Sequence, residues 1–436
     1  MSTWQNWAGL ETATPVRVEH PADEAAVVAL VRRAARTGAR VKVVGSGHSF
    51  SAVAAPEDTL VRPDRLSGIL AVDRAAGTVE VLAGTPLHVL GDDLARLGLS
   101  LSNLGDIDAQ TLAGAISTGT HGTGGHGRGL AGLATQVVGL RLVTGDGTVL
   151  RATPDHHADV LDHARLGLGA LGVLTAVTLA VEPAFRLSAV EEVVGWDTML
   201  GGMAERLAAH DHVDTYWFPG TDRCLLRISD RVPAGGPDPS PVPSARERLV
   251  ADELLAYGAL GVATALTARV PRLAGPVNRV VGRLAGGRAY TDTSHRVLTS
   301  TRRVRFREME HGVPMAAAAE ALAAVRAIAD RHRVGFPVEV RSAGAEDVPL
   351  SPAYGRETCY VAVHVHRSVD HAPYFAEVET ALAALDGRPH WGKVHRRQAA
   401  DLAPAYPRFA DFLALRDRLD PQRMFANAYL RRVLGP

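Results

Sequence analysis

The 436-residue chain contains very little cysteine, since Cys224 and Cys359 are its only two, each in an apolar stretch and far from the other. This scarcity excludes a disulfide framework and a cysteine-rich metal site, and we predict no metal site of another kind. The polar residues from Met1 to Trp7 lack the charged start and apolar core of a signal peptide. We therefore expect a location in the reducing cytoplasm.

The chain also lacks a long hydrophobic run and an excess of charge of one sign. Its most apolar stretch, Leu254 to Ala268, is shorter than the roughly 20 residues of a transmembrane helix and is flanked by charged residues. This favours a buried or interfacial helix and no stable membrane insertion. Lys plus Arg and Asp plus Glu both number 47, with no block of like charge, so we predict no nucleic-acid partner. Nothing in the composition specifies an oligomeric state.

The length is too great for one ordinary core and predicts two domains with a cleft between them. Up to residue 183, short apolar strands alternate with Ala/Leu-rich helical segments, and this alternating pattern ends there. We predict an α+β fold with a first domain over 1–183, a second over 184–415, and a tail over 416–436 that returns to the first. In the second domain we expect a mixed sheet covered by helices.

Local patterns predict individual elements. A helix is expected over 23–33, a strand over 40–44 that ends at Gly45, and a hairpin of 137–144 with 148–151 around Gly145-Asp146-Gly147. Further strands are expected over 215–218, 224–228, 303–308, 337–341 and 359–366, with helices over 314–331 and 374–385. The proline-rich stretch 233–243 predicts a flexible surface loop.

Two glycine-rich loops indicate phosphate binding. The segment Gly45-Ser46-Gly47-His48-Ser49 follows a strand, and glycines there let backbone N–H groups approach a phosphate. The sequence from Ser51 to Pro56 does not continue as a dinucleotide-binding Rossmann motif. The second loop, 114–125, combines glycines, hydroxyl groups and His121. Its alternative interpretation is a flexible linker, but two such loops together favour a pyrophosphate held from both sides.

Four motifs in combination resemble the aldonolactone oxidases and alditol oxidases, FAD-linked enzymes of the vanillyl-alcohol-oxidase type. They are 45–50, the run 103–107 leading to 110–114, the loop 117–124, and His390-Trp391-Gly392-Lys393. The resemblance covers nearly the whole chain and is weakest over 185–300. It implies a PCMH-type FAD-binding domain of two subdomains and an α+β cap that binds substrate. Gly105-Asp106, where alditol oxidases have Ala-Ser, is more similar to bacterial gulonolactone oxidases and dehydrogenases.

The resemblance implies that His48 carries a covalent bond to the 8α-methyl group of the flavin. Attachment of this kind makes a flavin a stronger oxidant, and no cysteine is placed for a second bond. The other cofactor-binding residues that it implies are Val44, Gly45, Ser46, Gly47, Ser49, Gly105, Asp106, Thr111, Gly114, Thr118, Gly119, His121 and Val173.

Three residues are candidates for catalysis. Glu339 and Arg341 lie two apart on a predicted strand and so share a face; the alternative is a surface ion pair, but both match the Glu-x-Arg pair of the family. Lys393 is one of only two lysines among 47 basic residues, which favours a need for a compact charge. The resemblance implies that Lys393 stabilises negative charge on the flavin. His364 and His366 alternate on a later strand and are weaker candidates.

The implied reaction is oxidation of a carbinol in a sugar 1,4-lactone of the gulono, galactono or arabinono type, by hydride transfer to the flavin. Arg341 or Lys393 would favour alkoxide character while Glu339 orients neighbouring hydroxyls; the proton acceptor is left open. An alditol is the alternative substrate. We predict O2 as acceptor, because Gly105 leaves room beside the flavin, with a lactone dehydrogenase that uses a protein or dye as the alternative.

Two other classes fit less well. NADPH-dependent reductases of cell-wall enolpyruvyl sugars have a similar flavin domain but lack the loop histidine and the His-Trp-Gly-Lys motif, both of which this chain has at His48 and at 390–393. A flavin-storage or interaction protein would leave Glu339, Arg341 and Lys393 without a role. The sequence therefore favours an enzyme.

Overall fold

The structure is a computed structural model that describes residues 3–124, 132–233, 235–244, 247, 258–300 and 304–436. Its strands are β1 Trp4–Gln5, β2 Thr12–Ala13, β3 Arg17–Glu19, β4 Val41–Val43, β5 Thr59–Val61, β6 Ile69–Asp73, β7 Thr78–Leu82, β8 Leu99–Ser100, β9 Val137–Val143, β10 Val149–Ala152, β11 Val173–Ala180, β12 Glu182–Pro183, β13 Arg186–Gly195, β14 His212–Trp217, β15 Arg223–Arg231, β16 Arg288–Thr293, β17 Phe306–Pro314, β18 Val338–Ala343, β19 Thr358–His366 and β20 Arg388–Pro389.

The described α-helices are α1 Glu24–Thr37, α2 Leu87–Arg96, α3 Leu112–Thr118, α4 Ala158–Ala164, α5 Trp196–Gly201, α6 Met203–Ala209, α7 Ala259–Arg269, α8 Ala274–Leu284, α9 Ser294–Leu298, α10 Ala318–His332, α11 Ala372–Ala383, α12 Ala399–Leu402, α13 Phe409–Leu419 and α14 Ala428–Leu434. Short 3₁₀ helices cover Ala52–Ala54, Leu133–Gln136, Pro271–Leu273 and Met315–Ala317. In the described part of the chain, no helix is long and apolar enough to cross a membrane.

The N-terminal part contains two main sheets, besides the two-stranded pairs β1-β2 and β8-β12. The smaller has the order β3-β5-β4 with parallel pairing, and the larger has the order β10-β9-β11-β7-β6 with antiparallel pairing. Helix α1 begins after Asp23, whose side chain accepts a hydrogen bond from the Ala26 N–H, and ends at Gly38 with φ of 67°. The predicted helix, the strand before Gly45 and the hairpin around 145–147 are confirmed.

The second half builds an eight-stranded sheet of order β16-β13-β15-β14-β18-β19-β17-β20. Every described pairing in it is antiparallel. The predicted strands and helices of this half are confirmed at their described residues, but the predicted mixed sheet is wrong. The reason is connectivity: β14 and β15 form a tight hairpin, and α10 carries the chain from β17 past β19 to β18, so the parallel strands β17 and β18 are never neighbours.

Side-chain alternation gives this sheet two different faces. Met309, Val340 and Val363 point into an apolar cluster that also contains buried residues of α10 and α11, such as Leu322 and Val378. Except for Ala362, their neighbours along β17, β18 and β19 are charged or histidine residues. Because side chains alternate along a strand, these neighbours lie on the opposite face, toward the N-terminal part.

The chain after residue 416 contacts the N-terminal part. The Asn427 side chain donates to the carbonyls of Ala52, Val53 and Ala55, and the Val41 N–H donates to the Met424 carbonyl. The division at 183/184 and 415/416 stays a prediction.

Some residues of the predicted features lie outside the described residues. They are 254–257 of the apolar stretch 254–268, 125 of the second glycine loop, 234 of the proline-rich stretch and 303 of a predicted strand. Helix α7 contains residues 259–268 of the apolar stretch.

Candidate active site

The two glycine loops line one cleft of about 940 Å³, which we call the glycine-lined cleft. It runs between the two N-terminal sheets and is bounded by residues 45–49, by 110–118 and by 167–174. Gly47 has a φ of +70°, which side chains rarely tolerate, and a Cβ at Gly45 would lie 2.0 Å from the Thr111 Oγ1 atom. The loops therefore approach each other too closely for larger residues.

The Thr111 hydroxyl shows whether this cleft offers a hydrogen-bond donor to a cofactor with phosphate groups. Its oxygen is buried and has no hydrogen-bond partner among the described residues, although a buried polar group left without a partner costs free energy. A phosphate oxygen in the cleft could accept from it. The narrow glycine walls and this donor fit the dinucleotide part of FAD.

Both lysines of the chain line clefts. Lys42 is buried in the wall of the glycine-lined cleft, where its Nζ donates to the Phe425 carbonyl at 3.2 Å. Burial lowers the pKa of Lys42 to about 7, against the opposing effects of Asp420 and Glu57. The scarcity of lysine in the sequence led to a predicted role for Lys393 alone, and the place of Lys42 in the cleft wall was not predicted.

Most of the predicted cofactor-binding residues line the clefts. Gly45, Ser46, Gly47, His48, Ser49, Thr111, Gly114 and Thr118 line the glycine-lined cleft, and Asp106 and His121 line the second cleft described below. Val44, Gly105, Gly119 and Val173 line neither. Val44 and Val173 are buried in apolar clusters, while their chain neighbours Val43, Gly45, Gly172 and Leu174 face the cleft, as strand alternation requires.

The second cleft, of about 770 Å³, lies between the glycine loops and the eight-stranded sheet; we call it the charged cleft. His48, Ser49, Gln110 and Thr118 belong to both clefts, so the two are adjoining. Glu339, Arg341 and Lys393 all line the charged cleft, as do His364 and His390. The structure thus brings the three predicted catalytic residues together. His366 is not among the lining residues and bonds Ser368 instead.

Arg341 is held between two carboxylates. Its Nη2 lies 2.6 Å from Glu339 Oε1 and its Nε lies 3.0 Å from Asp214 Oδ1. The Tyr216 hydroxyl also donates to Glu339, at 3.0 Å. The alternative of a surface ion pair is excluded, because the Arg341 side chain is only 12% exposed and that of Glu339 8%. Burial would lower the pKa of Arg341, but Glu339 and Asp214 raise it, so it is always charged.

Lys393 forms an ion pair that the sequence reasoning missed. Its Nζ lies 2.6 Å from Glu308 Oε2 and 3.8 Å from Glu310 Oε2. Burial would raise the pKa of Glu308, but Lys393 and His364 outweigh it and lower the pKa to about 2. Glu308 and Glu310 lie two apart on β17, so the same alternation that pointed to Glu339 and Arg341 could have found them.

His121 connects the second glycine loop to the sheet. Its Nε2 lies 2.8 Å from Glu310 Oε1, its Nδ1 lies 2.8 Å from the Gly122 carbonyl, and its ring stacks on Tyr360 with centroids 3.7 Å apart. Each ring nitrogen of His121 thus faces an acceptor oxygen. His121 holds the loop against the eight-stranded sheet at the cleft.

His48 lies where the two clefts meet, and its ring stacks on Trp7 with a centroid distance of 5.6 Å. Burial lowers the pKa of His48 to about 4, and Lys393 contributes in the same direction. The imidazole is therefore neutral at neutral pH and retains a nucleophilic nitrogen.

Gly105 was expected to leave room beside the flavin, but it lines neither cleft. A Cβ there would lie 2.4 Å from Thr120 Cγ2 and 3.2 Å from the His121 carbonyl oxygen, so a methyl group would press on packed atoms and not fill open space in a cleft. Thr120 itself lines the charged cleft. A larger residue at 105 would therefore act on the cleft mainly through Thr120, the nearest contact, and secondarily through His121.

Comparison with known proteins gives matches to two family profiles, described as "FAD binding domain" over residues 15–153 and "D-arabinono-1,4-lactone oxidase" over residues 177–433. The second match covers more than half of the chain. The chain belongs to the D-arabinono-1,4-lactone oxidase family. The resemblance to aldonolactone oxidases predicted from the sequence is thereby confirmed.

Individual relatives of this family are similar over their whole length. An L-gulono-1,4-lactone dehydrogenase of Mycobacterium tuberculosis is 38% identical, with 99% of each chain covered. An L-gulonolactone oxidase of Mus musculus is 32% identical over 99% of this chain and 98% of the relative, and a Streptomyces alditol oxidase is 35% identical over 98% of each.

Solved structures confirm the predicted fold class. A cholesterol oxidase from B. sterolicum superposes with a TM-score of 0.83 at 16% identity, covering 99% of this chain and 96% of the other. A solvent-stable cholesterol oxidase has a TM-score of 0.80 at 17% identity, with 100% and 97% covered. At such low identity the likeness concerns the fold alone.

Proposed function

We propose that this aldonolactone oxidase family member oxidises a carbinol of a sugar 1,4-lactone of the gulono, galactono or arabinono type, with FAD as its cofactor. The observation that carries the proposal is the cluster of buried Glu339 with partly exposed Arg341 and Lys393 in a cleft that adjoins the glycine-lined cleft at His48. When bound, FAD supplies the two-electron acceptor for the hydride that leaves the carbinol carbon. We further propose that 1–183 and 416–436 hold the FAD and that 184–415 form the cap.

The charged residues act on the substrate hydroxyls. Arg341 and Lys393 present positive charge to the hydroxyl oxygen as its proton leaves, and so stabilise alkoxide character. Glu339, fixed by Arg341 and Tyr216, orients a neighbouring hydroxyl. Burial of these groups strengthens each contact, because the surroundings screen charge less than water does.

We also propose a single covalent bond between His48 and the 8α position of the flavin. Its location in both clefts and its neutral imidazole, with the pKa lowered to about 4, support this role. A cytoplasmic location is likewise proposed, on the scarcity of cysteine.

For the electron acceptor we propose O2, with H2O2 as product, in keeping with the relatives named oxidases. A lactone dehydrogenase is the second candidate, favoured by the relative of that name at 38% identity. An alditol is the alternative substrate, favoured by the alditol oxidase at 35% identity.

The experiment is a panel of aldono-1,4-lactones and alditols, incubated with the flavin-loaded protein and O2. We expect consumption of at least one lactone with formation of an equal amount of H2O2 and of the corresponding keto product. Turnover of alditols alone would favour the alditol alternative. Turnover with a dye but not with O2 would favour the dehydrogenase, and no reaction with any member would contradict the proposal.

A further inference from the structure

We infer that the substrate site has a second, apolar part, which accepts an aliphatic or aryl substituent where the oxidised lactone or diol carries one. This inference rests on the proposed function, because it concerns the group attached to the oxidised polyol or lactone. The region, which we call the apolar annex, is a cavity of about 450 Å³ beside the charged cleft. Its outer walls are Leu260, Val304, Phe336 and Pro337.

The annex adjoins the charged cleft. Phe306, Glu339 and His364 line both spaces. A substituent on a substrate whose reacting hydroxyl lies between Arg341 and Lys393 would therefore enter the annex past the shared side chains of Phe306 and His364. This shared wall is the reason why we assign the occupant as part of the substrate.

Aromatic rings form the boundary between the two parts. The Phe306 ring packs edge-on against His364 with centroids 5.1 Å apart, and Phe336 lies 5.7 Å from Phe306 and 6.1 Å from His364. These rings give the annex an apolar surface suited to CH₂ groups or to an aromatic ring.

The polar groups at the boundary are already engaged inside the protein. The His364 Nδ1 bonds the Pro337 carbonyl at 3.1 Å, its Nε2 lies 3.4 Å from Glu308, and the Tyr216 hydroxyl donates to Glu339. A hydroxylated chain in the annex would lose its hydrogen bonds to water and find few in return. A fully hydroxylated sugar tail fits this chemistry poorly, and an apolar substituent fits it well.

The test is anaerobic stopped-flow reduction of the flavin-loaded enzyme by 1,2-diols with alkyl chains of increasing length, alongside a 1,4-lactone without an apolar substituent. We expect the second-order rate of reduction to rise by up to about fourfold per methylene until the annex is filled, the equivalent of about 0.8 kcal/mol for each buried CH₂. A rate that does not change with chain length would overturn the inference.

Two substitutions at Leu260, which lies outside the charged cleft, provide a second readout. Leu260→Asn should flatten the dependence on chain length, and Leu260→Trp should fill the annex and slow the longer diols selectively. Reduction by the unsubstituted lactone should be unchanged in both. The matched control is Val262→Asn. Val262 lies on the same helix and is 72% exposed, so this variant should behave as wild type.

An electron acceptor is the other possible occupant, and the two half-reactions separate it from a substrate group. If chain length affects only the reoxidation of reduced enzyme by alkylated quinones, and the Leu260 variants alter only that step, the annex is an acceptor site and our inference is wrong. Reduction by lactones with no chain-length effect contradicts the annex alone. Failure of every diol and lactone to reduce the flavin contradicts the proposed function itself.

Discussion

The Lys393 ammonium lies 2.6 Å from the Glu308 carboxylate, and both side chains line the charged cleft. The same cleft also contains the Arg341 and Glu339 pair, and the Lys393 ammonium lies 3.8 Å from the Glu310 carboxylate. The cleft therefore offers the substrate two anchored cations, each held in position by a carboxylate and not by solvent.

Removal of the Lys393 cation should slow flavin reduction. We expect Lys393→Met, which keeps the length of the side chain, to lower the rate at least about tenfold, equivalent to about 1.4 kcal/mol in the barrier. Glu308→Gln should also lower it, since the ammonium loses its anchor. The measurement is the anaerobic reduction rate at saturating lactone. Rates equal to wild type in both variants would return Lys393 to a structural role.

Glu308 should also contribute to stability in acid. Its pKa is lowered in the folded state from about 4.5 to about 2, so its contribution is present above pH 4.5 and is lost as the pH falls toward 2. Glu308→Gln should therefore flatten the fall in unfolding free energy over this window. Denaturant titrations from pH 6 to about pH 2.5 measure it, with the exposed Glu320→Gln as control. If the unfolding free energy of Glu308→Gln depends on pH as steeply as that of wild type, the lowered pKa of Glu308 is contradicted.

The covalent link at His48 is tested without activity. Acid-precipitated wild-type protein should stay yellow, and His48→Ala should release its flavin under the same treatment. The remaining cleft residues should still let the variant bind free FAD before precipitation. A colourless precipitate from flavin-replete wild type would remove the proposed bond.

Gly105→Ala should act through Thr120. Because the new Cβ would lie 2.4 Å from Thr120 Cγ2, we expect a loss of stability and slower reoxidation of the reduced enzyme by O2. Thr120→Ser removes that one carbon, so the double variant should recover both properties. If Gly105→Ala reoxidises as fast as wild type, position 105 does not affect the access of O2. If the double variant recovers stability alone, the route through Thr120 is wrong.

The sequence was sufficient where a motif has a fixed local geometry. Spacing of two on a strand placed Glu339 and Arg341 on one face, and the glycine loops indicated a narrow cleft. The same alternation was not applied to Val44 and Val173, whose side chains point into apolar clusters while their neighbours line the cleft. Resemblance to a family identifies which positions correspond, but it does not determine the direction in which each side chain points.

Contacts between residues far apart in the chain could not be predicted from the sequence. The partner of Lys393 lies on β17, 85 positions earlier in the chain, counted from 308 to 393, and only the sheet order brings the two together. The expected mixed sheet failed for the same reason, because strand composition does not determine which strands become neighbours. The annex likewise needs α7 to pack beside β19, which no local pattern encodes.

The central claim is that the charged cleft orients a lactone carbinol for oxidation by FAD, and the most direct test is anaerobic stopped-flow absorbance of the flavin on addition of aldono-1,4-lactones. We predict bleaching of the oxidised flavin by at least one lactone, with a rate in Arg341→Ala at least about tenfold lower than in wild type. A flavin that no lactone bleaches, or one that Arg341→Ala bleaches at the wild-type rate, would contradict the account.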